Sequence, residues 1–142
     1  SLRNNDPEFI RKKFASLNMK PNKYEKKVIT AIEESNLPYK FVGDGTVILG
    51  RLCPDFINTD GVKVVLEVFG ELFHDPIKGF KNIREAQTED GRRKVYDELG
   101  FKMIVLWGNE VKTMSTDQIA QRVLELEAAL VDERKGGGAS GE

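Results

Sequence analysis

Hydrophobic and polar residues alternate along the chain in patterns that predict both helices and strands. Apolar residues at helical spacing predict helices over residues 6–17, 22–37, 88–99 and from 115 through at least 130. Short apolar runs bounded by turn-forming residues predict strands at 39–42, 47–49, 56–57, 62–68 and 101–107. This order predicts an α/β (α+β) fold with a mixed central sheet flanked by helices.

An antiparallel hairpin over residues 56–68 is the clearest strand prediction. Residues 58–61, Asn-Thr-Asp-Gly, are types that form turns, and an apolar run lies on each side of them. Strand side chains alternate between two faces, which places Glu67 on the same face as the apolar Val65 and Phe69. A buried carboxylate is unfavourable unless a cation compensates it. The pattern therefore predicts a cation near Glu67.

Helix boundaries carry local signals as well. Asn22 and Glu25 have the spacing of a capping box, in which each residue bonds the backbone of the other. Ser115 and Gln118 repeat this spacing at the start of the last helix, and Gly100 stands where glycine commonly ends a helix. Glu25 also lies on the apolar side of its helix. It can therefore act as a cap, point inward, or do both.

Composition places few restrictions on function but excludes some classes. The chain has 142 residues, with 22 basic and 23 acidic side chains and a formal net charge of −1. A single cysteine excludes a disulfide framework and a multi-cysteine zinc site. No run of about 18 apolar residues predicts a transmembrane helix, and no signal-peptide pattern opens the chain. We therefore expect an intracellular protein, cytoplasmic or nucleoid-associated, that is neither secreted nor membrane-bound.

The charge is unevenly distributed. Residues 1–27 contain eight basic and three acidic side chains, a net of +5, which leaves −6 for the remainder. We expect a basic helical arm over 1–20, a compact domain over 21–135 and a flexible glycine- and serine-rich tail over 136–142. A basic arm joined to an acidic body is typical of a protein that contacts a polyanion and holds cations elsewhere. A solvated helical face is the alternative interpretation of the arm.

Candidate chemistry concentrates around the hairpin. Asp55 precedes its first strand, Glu67 lies in its second strand, and His74, the only histidine, follows shortly after. Carboxylate oxygens are the ligands that Mg²⁺ prefers, and an imidazole titrates near neutral pH. A divalent metal ion shared by Asp55 and Glu67 would compensate the buried charge and support metal-assisted hydrolysis.

The combined order of these motifs resembles a known family. It comprises Pro54-Asp55-Phe56, Glu67-Val68-Phe69-Gly70 closing on Phe73-His74, and Arg92 to Leu99 followed by Gly100-Phe101 and Ile104-Val105-Leu106-Trp107. Over about residues 24–110 the chain resembles PD-(D/E)xK nucleases. More narrowly, it is similar to very-short-patch-repair endonucleases and to catalytic domains of phage and intron-associated homing endonucleases. The resemblance implies a restriction-endonuclease-like sheet.

The resemblance also implies roles for individual residues. Asp55 matches the principal Mg²⁺ ligand of the family, a site that Mn²⁺ can also occupy. Glu67 matches the second acidic residue, and the backbone carbonyl of Val68 matches a further ligand. His74 matches a histidine that assists hydrolysis, whereas Phe69 stands where the general nuclease motif has a lysine.

Three further positions follow from the same comparison. Glu25 matches a functional glutamate, and Asp90, or Glu89 beside it, is the candidate for an acidic residue that follows the histidine. Arg92 is a candidate phosphate contact. The amino-terminal segment resembles a short DNA-binding motif of homing nucleases, which implies phosphate contacts from three basic residues, Arg11, Lys12 and Lys13.

The sequence thus predicts a Mg²⁺-dependent endodeoxyribonuclease that acts on double-stranded DNA. Its site would comprise Asp55, Glu67 and His74, with contributions from Glu25 and Asp90. A catalytically weak DNA-binding module of a larger mobile-element or repair protein is the alternative function. A purely structural α/β domain is a third interpretation, and whether the chain forms a homodimer is left open.

Overall fold

Helices and strands follow one another in nearly the order that the hydrophobic spacing predicts. A computed structural model describes residues 20–70 and 88–140, with side chains described through residue 130. Helix α1 (Lys23–Ser35) leads into β1 (Tyr39–Phe41), β2 (Phe56–Asn58) and β3 (Val64–Phe69). The elements after residue 88 are α2 (Glu89–Glu98), β4 (Lys102–Trp107), α3 (Gly108–Val111) and α4 (Thr116–Ser140).

The four strands form one mixed sheet in the order β1-β2-β3-β4. Strands β1 and β2 are antiparallel, and β2 and β3 form the predicted antiparallel hairpin, with Phe56 opposite Leu66. Strand β4 runs parallel to β3, with Glu67 opposite Val105. At the hairpin turn Gly61 has a φ of 85°, a conformation in which glycine avoids a steric penalty.

Hydrophobic cores lie on both faces of this sheet. On one face, α1 and α4 pack against the strands through residues that include Val28, Leu66 and Ile119. On the other face, α2 packs through Tyr96 against residues that include Val65. All six residues of β3 are buried, as expected for a strand covered on both sides. The predicted mixed sheet flanked by helices is confirmed.

Two predicted segments differ from the structure. Residues 47–49 form no strand, because the chain reverses at Gly50 and a single bridge joins Leu49 to Leu52. Helix α4 continues through Ser140 and so includes residues 136–140, which the sequence predicts as a flexible tail.

Helix α1 is fixed at its start and against the end of the short helix α3. The predicted capping box is confirmed, with the Asn22 N–H donating to Glu25 Oε1 at 2.9 Å and the Glu25 N–H donating to Asn22 Oδ1 at 2.8 Å. Lys27 Nζ donates to the Val111 carbonyl at 2.8 Å and to the Lys112 carbonyl at 3.3 Å. These contacts fix the position of Glu25 relative to the sheet.

None of the helices in the described ranges is both long enough and apolar enough to cross a membrane.

Candidate functional site: a buried carboxylate cluster

Asp55 and Glu67 lie opposite each other across the hairpin. Asp55 immediately precedes β2, and the pairing of Phe56 with Leu66 brings it beside Glu67 in β3. The Asp55 N–H donates to Glu67 Oε1 at 2.9 Å, and the Val68 N–H donates to Asp55 Oδ2 at 2.8 Å. Each carboxylate thus accepts a backbone hydrogen bond from the neighbouring strand, which orients both side chains.

The cation beside Glu67 is an arginine of α2. Glu67 is 1% exposed and Arg92 is 7% exposed, and the guanidinium of Arg92 forms a salt bridge with Glu67 Oε2. Arg92 also donates to the Tyr96 hydroxyl at 3.1 Å and to the Cys53 carbonyl at 3.3 Å. The Tyr96 hydroxyl in turn donates to Glu67 Oε2 at 3.0 Å. Arg92 and Tyr96 therefore stabilise the buried carboxylate of Glu67, whereas the metal ion that the sequence predicts between Glu67 and Asp55 stays a prediction.

Glu25 approaches the same cluster from α1. It is 8% exposed, and its position in the capping box turns its side chain inward. Its charge contributes to raising the pKa of Asp55, which shows that the two side chains lie near each other. The dual role that the sequence allows for Glu25, a cap that also points inward, is the arrangement in the structure. Three carboxylates, Glu25, Asp55 and Glu67, consequently meet at one end of the hairpin.

The surroundings of Asp55 disfavour its charged form. Burial of its carboxyl group raises the pKa of Asp55 well above its usual range, and the nearby charges of Glu67 and Glu25 raise it further. Burial also raises the pKa of Glu67, although Arg92 and the hydrogen bonds to the carboxylate oppose that effect. Among the described residues Arg92 forms its salt bridge with Glu67, while Asp55 and Glu25 form none.

The arrangement fits a cation held by few protein ligands. No group of three or more His, Cys, Asp or Glu side chains within residues 20–70 and 88–130 is arranged to hold a metal ion. Mg²⁺ in nucleotide- and phosphate-processing sites commonly uses only one or two carboxylates, completing its shell with water and substrate phosphate. Asp55 and Glu25, two adjacent carboxylates without a salt bridge in the described part of the chain, match that requirement.

Other predicted site residues lie elsewhere. Asp90 is exposed in the first turn of α2, and Glu89 forms a salt bridge with Arg93 at 3.0 Å. Arg92, predicted to contact phosphate, is buried against Glu67, and its contact with DNA stays a prediction. The Val68 carbonyl likewise stays a predicted ligand. Four predicted residues lie outside the described ranges: Arg11, Lys12, Lys13 and His74.

Sequence reasoning did not identify Tyr96 or the pairing of Arg92 with Glu67. A signal for both exists, because Arg92 and Tyr96 are four residues apart and so lie on one side of a helix. Glu67 faces that side together with Val65 and Phe69. Phe69 also packs edge-to-face on Trp107, with 5.3 Å between ring centroids, which agrees with a core role for Trp107.

In comparisons with protein-family models, curated proteins and solved structures, this chain matches none. The resemblance to nucleases therefore remains a prediction from the sequence motifs.

Proposed function

We propose that this protein is a divalent-metal-dependent endodeoxyribonuclease. The observation that supports the proposal most directly is the carboxylate cluster, in which half-buried Asp55 lies beside Glu67 and close to Glu25. Asp55 and Glu25 form no salt bridge with the residues that the structure describes, so a bound cation would stabilise the two carboxylates when both are ionised. Mg²⁺ or Mn²⁺ is the cation whose ligand preference suits this pair.

In this proposal Asp55 and Glu25 hold the cation. When bound, the cation supplies Lewis-acid activation of a phosphodiester and of the attacking water. The Val68 N–H keeps Asp55 Oδ2 in place, and the capping box keeps Glu25 turned inward. The predicted role of His74 is to pass a proton to or from the reacting groups, since an imidazole ordinarily titrates near neutral pH.

Double-stranded DNA is the proposed substrate. Exposed Lys23 and Lys26 lie on the helix that carries Glu25, and Lys23 stacks over the Tyr24 ring, 5.0 Å from its centroid. Contacts from such lysines to DNA phosphates would increase affinity without reading base sequence. Lys23, Lys26 and the basic residues of the predicted amino-terminal arm all lie in the same part of the chain as Glu25, one of the site carboxylates.

Plasmid cleavage tests the proposal. Supercoiled plasmid is incubated with the chain in Mg²⁺, Mn²⁺ or EDTA, and nicked and linear products are separated by electrophoresis. We expect cleavage with either metal, none with EDTA, and losses of at least about 100-fold in Asp55→Asn and in His74→Ala. Asp60→Asn, which alters an exposed aspartate of the hairpin turn, serves as the matched control and should cleave normally.

The outcomes separate this function from its alternatives. Cleavage that persists in Asp55→Asn would contradict the proposed site. Absence of cleavage together with salt-sensitive DNA binding would favour the DNA-binding module, since phosphate contacts make affinity fall steeply with salt. Neither cleavage nor DNA binding would favour a structural domain.

A further inference from the structure

We infer that Glu67 is a positioning residue for Asp55 and does not bind the cation. Within the carboxylate cluster, Asp55 and Glu25 face the cation. Glu67, Arg92 and Tyr96 hold Asp55 in place. This inference rests on the proposed function in that Asp55 and Glu25 bind a cation.

The hydrogen bonds of Glu67 occupy both of its oxygens. Oε1 accepts from the Asp55 N–H at 2.9 Å, and Oε2 accepts from Tyr96 at 3.0 Å and from Arg92. With only 1% of Glu67 exposed, solvent contributes little to its stabilisation. Both oxygens of the carboxylate therefore have hydrogen-bond partners within the protein.

The charges in the cluster also support Asp55 and Glu25, and not Glu67, as the ligands of the cation. The guanidinium of Arg92 contacts Glu67 Oε2 directly, so the negative charge of Glu67 is already compensated. A divalent ion coordinated by Glu67 would lie near that guanidinium, and the repulsion between the two cations is strong in a buried site. Asp55 and Glu25, by contrast, form no salt bridge with any residue in the described ranges.

Asp55 is held at two points by strand β3. Its N–H donates to Glu67, and its Oδ2 accepts from the Val68 N–H at 2.8 Å. These bonds fix the backbone and one carboxylate oxygen. Partners that orient a metal ligand in this way typically change metal affinity by about 10- to 100-fold when they are removed.

Two double variants separate the charge of Glu67 from its ability to accept a hydrogen bond. Glu67→Gln with Arg92→Gln removes both charges together but keeps an oxygen for the Asp55 N–H. Glu67→Leu with Arg92→Leu removes the charges and the acceptor. Replacing both partners avoids an uncompensated buried charge, which would itself destabilise the protein.

Mn²⁺ binding, measured by calorimetry without DNA, gives the first readout. We expect the Gln pair to bind within about threefold of wild type and the Leu pair to bind about tenfold or more weakly. Asp55→Asn should lose at least about tenfold, because affinity follows the charge of the ligands. If the Gln pair loses as much affinity as Asp55→Asn, Glu67 is a ligand and the inference is wrong.

Hydrogen exchange of the Asp55 amide gives a second readout that needs no metal. We expect this amide to be protected in wild type and in the Gln pair and to exchange at least about tenfold faster in the Leu pair. Equal protection in all three proteins would overturn the positioning role. If wild type binds no Mn²⁺, the proposed function fails, whereas the amide still reports whether Glu67 positions Asp55.

Wild-type protein provides the test if a double variant fails to fold. With ¹³C-labelled carboxyl groups, Mg²⁺ should shift the Asp55 and Glu25 carboxyl signals by more than the Glu67 signal. A Glu67 shift as large as that of Asp55 would overturn the inference.

Discussion

Asp55 and Glu67 are joined through the backbone N–H of Asp55, which donates to Glu67 Oε1 at 2.9 Å. The two carboxylates are thereby kept close together even though their charges repel. Glu67 is compensated by Arg92, whereas Asp55 is also exposed to the charge of Glu25. The cluster is consequently electrostatically unfavourable at Asp55 without a bound cation, and this has measurable consequences.

Stability of the metal-free protein should fall with increasing pH. The pKa of Asp55 is raised in the folded state, so the folded protein binds more protons than the unfolded chain above the unfolded pKa. The stabilisation is fully present below the unfolded pKa, near 3.8, and is lost as the pH rises through the folded pKa. Asp55→Asn should flatten this profile, as measured by urea unfolding at several pH values.

Divalent metal should stabilise the wild-type protein and so offset its loss of stability at higher pH. At a Mn²⁺ concentration about 100 times Kd, binding to the folded state adds about 2.7 kcal/mol to the free energy of unfolding. Asp55→Asn should gain much less, while Asp60→Asn, on the exposed turn, should gain as much as wild type. Thermal unfolding with and without Mn²⁺ measures the difference, and an equal gain in Asp55→Asn would place the cation elsewhere.

Tyr96→Phe should reduce the free energy of unfolding by about 1–2 kcal/mol, because removal of the buried hydroxyl takes a hydrogen bond from each of two charged partners. The Tyr96 hydroxyl donates to Glu67 at 3.0 Å and accepts from Arg92 at 3.1 Å. Tyr24→Phe is the matched control, since no hydrogen bond of that hydroxyl is formed within the described ranges. Urea unfolding curves that coincide for the two variants would show that the Tyr96 bonds contribute no net stability.

Lys27→Met should destabilise the protein by about 0.5–1 kcal/mol. The ammonium group donates to the Val111 and Lys112 carbonyls at the end of α3, and methionine keeps the aliphatic length without the donor. Lys26→Met, on the exposed side of the same helix, should be nearly neutral. Urea unfolding of both variants measures the difference, and equal losses would mean that the two carbonyl contacts are not responsible.

Gly108→Ala should cost about 1–3 kcal/mol through overpacking. A Cβ at this position would lie 3.1 Å from Tyr24 Cε2 and 3.3 Å from the Phe69 carbonyl oxygen, where α3 begins against α1 and β3. At Gly70 the added carbon would meet no atom of the described residues within 4 Å, chain neighbours aside, so Gly70→Ala is the control. Thermal unfolding should therefore distinguish the two alanines, and equal melting temperatures would mean that the structure adjusts without cost.

Features set by neighbouring residues could be predicted from the sequence. The Asn22–Glu25 capping box depends on residues three apart, and the hairpin register depends on the turn at 58–61 and on strand alternation. For the same reason the burial of Glu67 beside Val65 could be predicted. The absence of a strand at 47–49 could not, because the reversal at Gly50 depends on local backbone geometry that hydrophobicity does not encode.

The sequence did not decide between the possible partners of Glu67. A buried carboxylate requires compensation, but the requirement is met equally well by a metal ion or by a basic side chain. Arg92 lies 25 residues away and reaches Glu67 only because α2 packs on that face of the sheet. The roles taken from the nuclease resemblance stay predictions.

The long separation of Arg92 from Glu67 has a consequence for biosynthesis. A chain synthesised only as far as Phe69 contains Asp55, Glu67 and Glu25 but has neither Arg92 nor Tyr96 to compensate them. The salt bridge with Arg92 and the hydrogen bond from Tyr96 can form only after α2 has left the ribosome and packed on the sheet. The acidic residues of the site are therefore synthesised before Arg92, the residue that compensates the charge of Glu67.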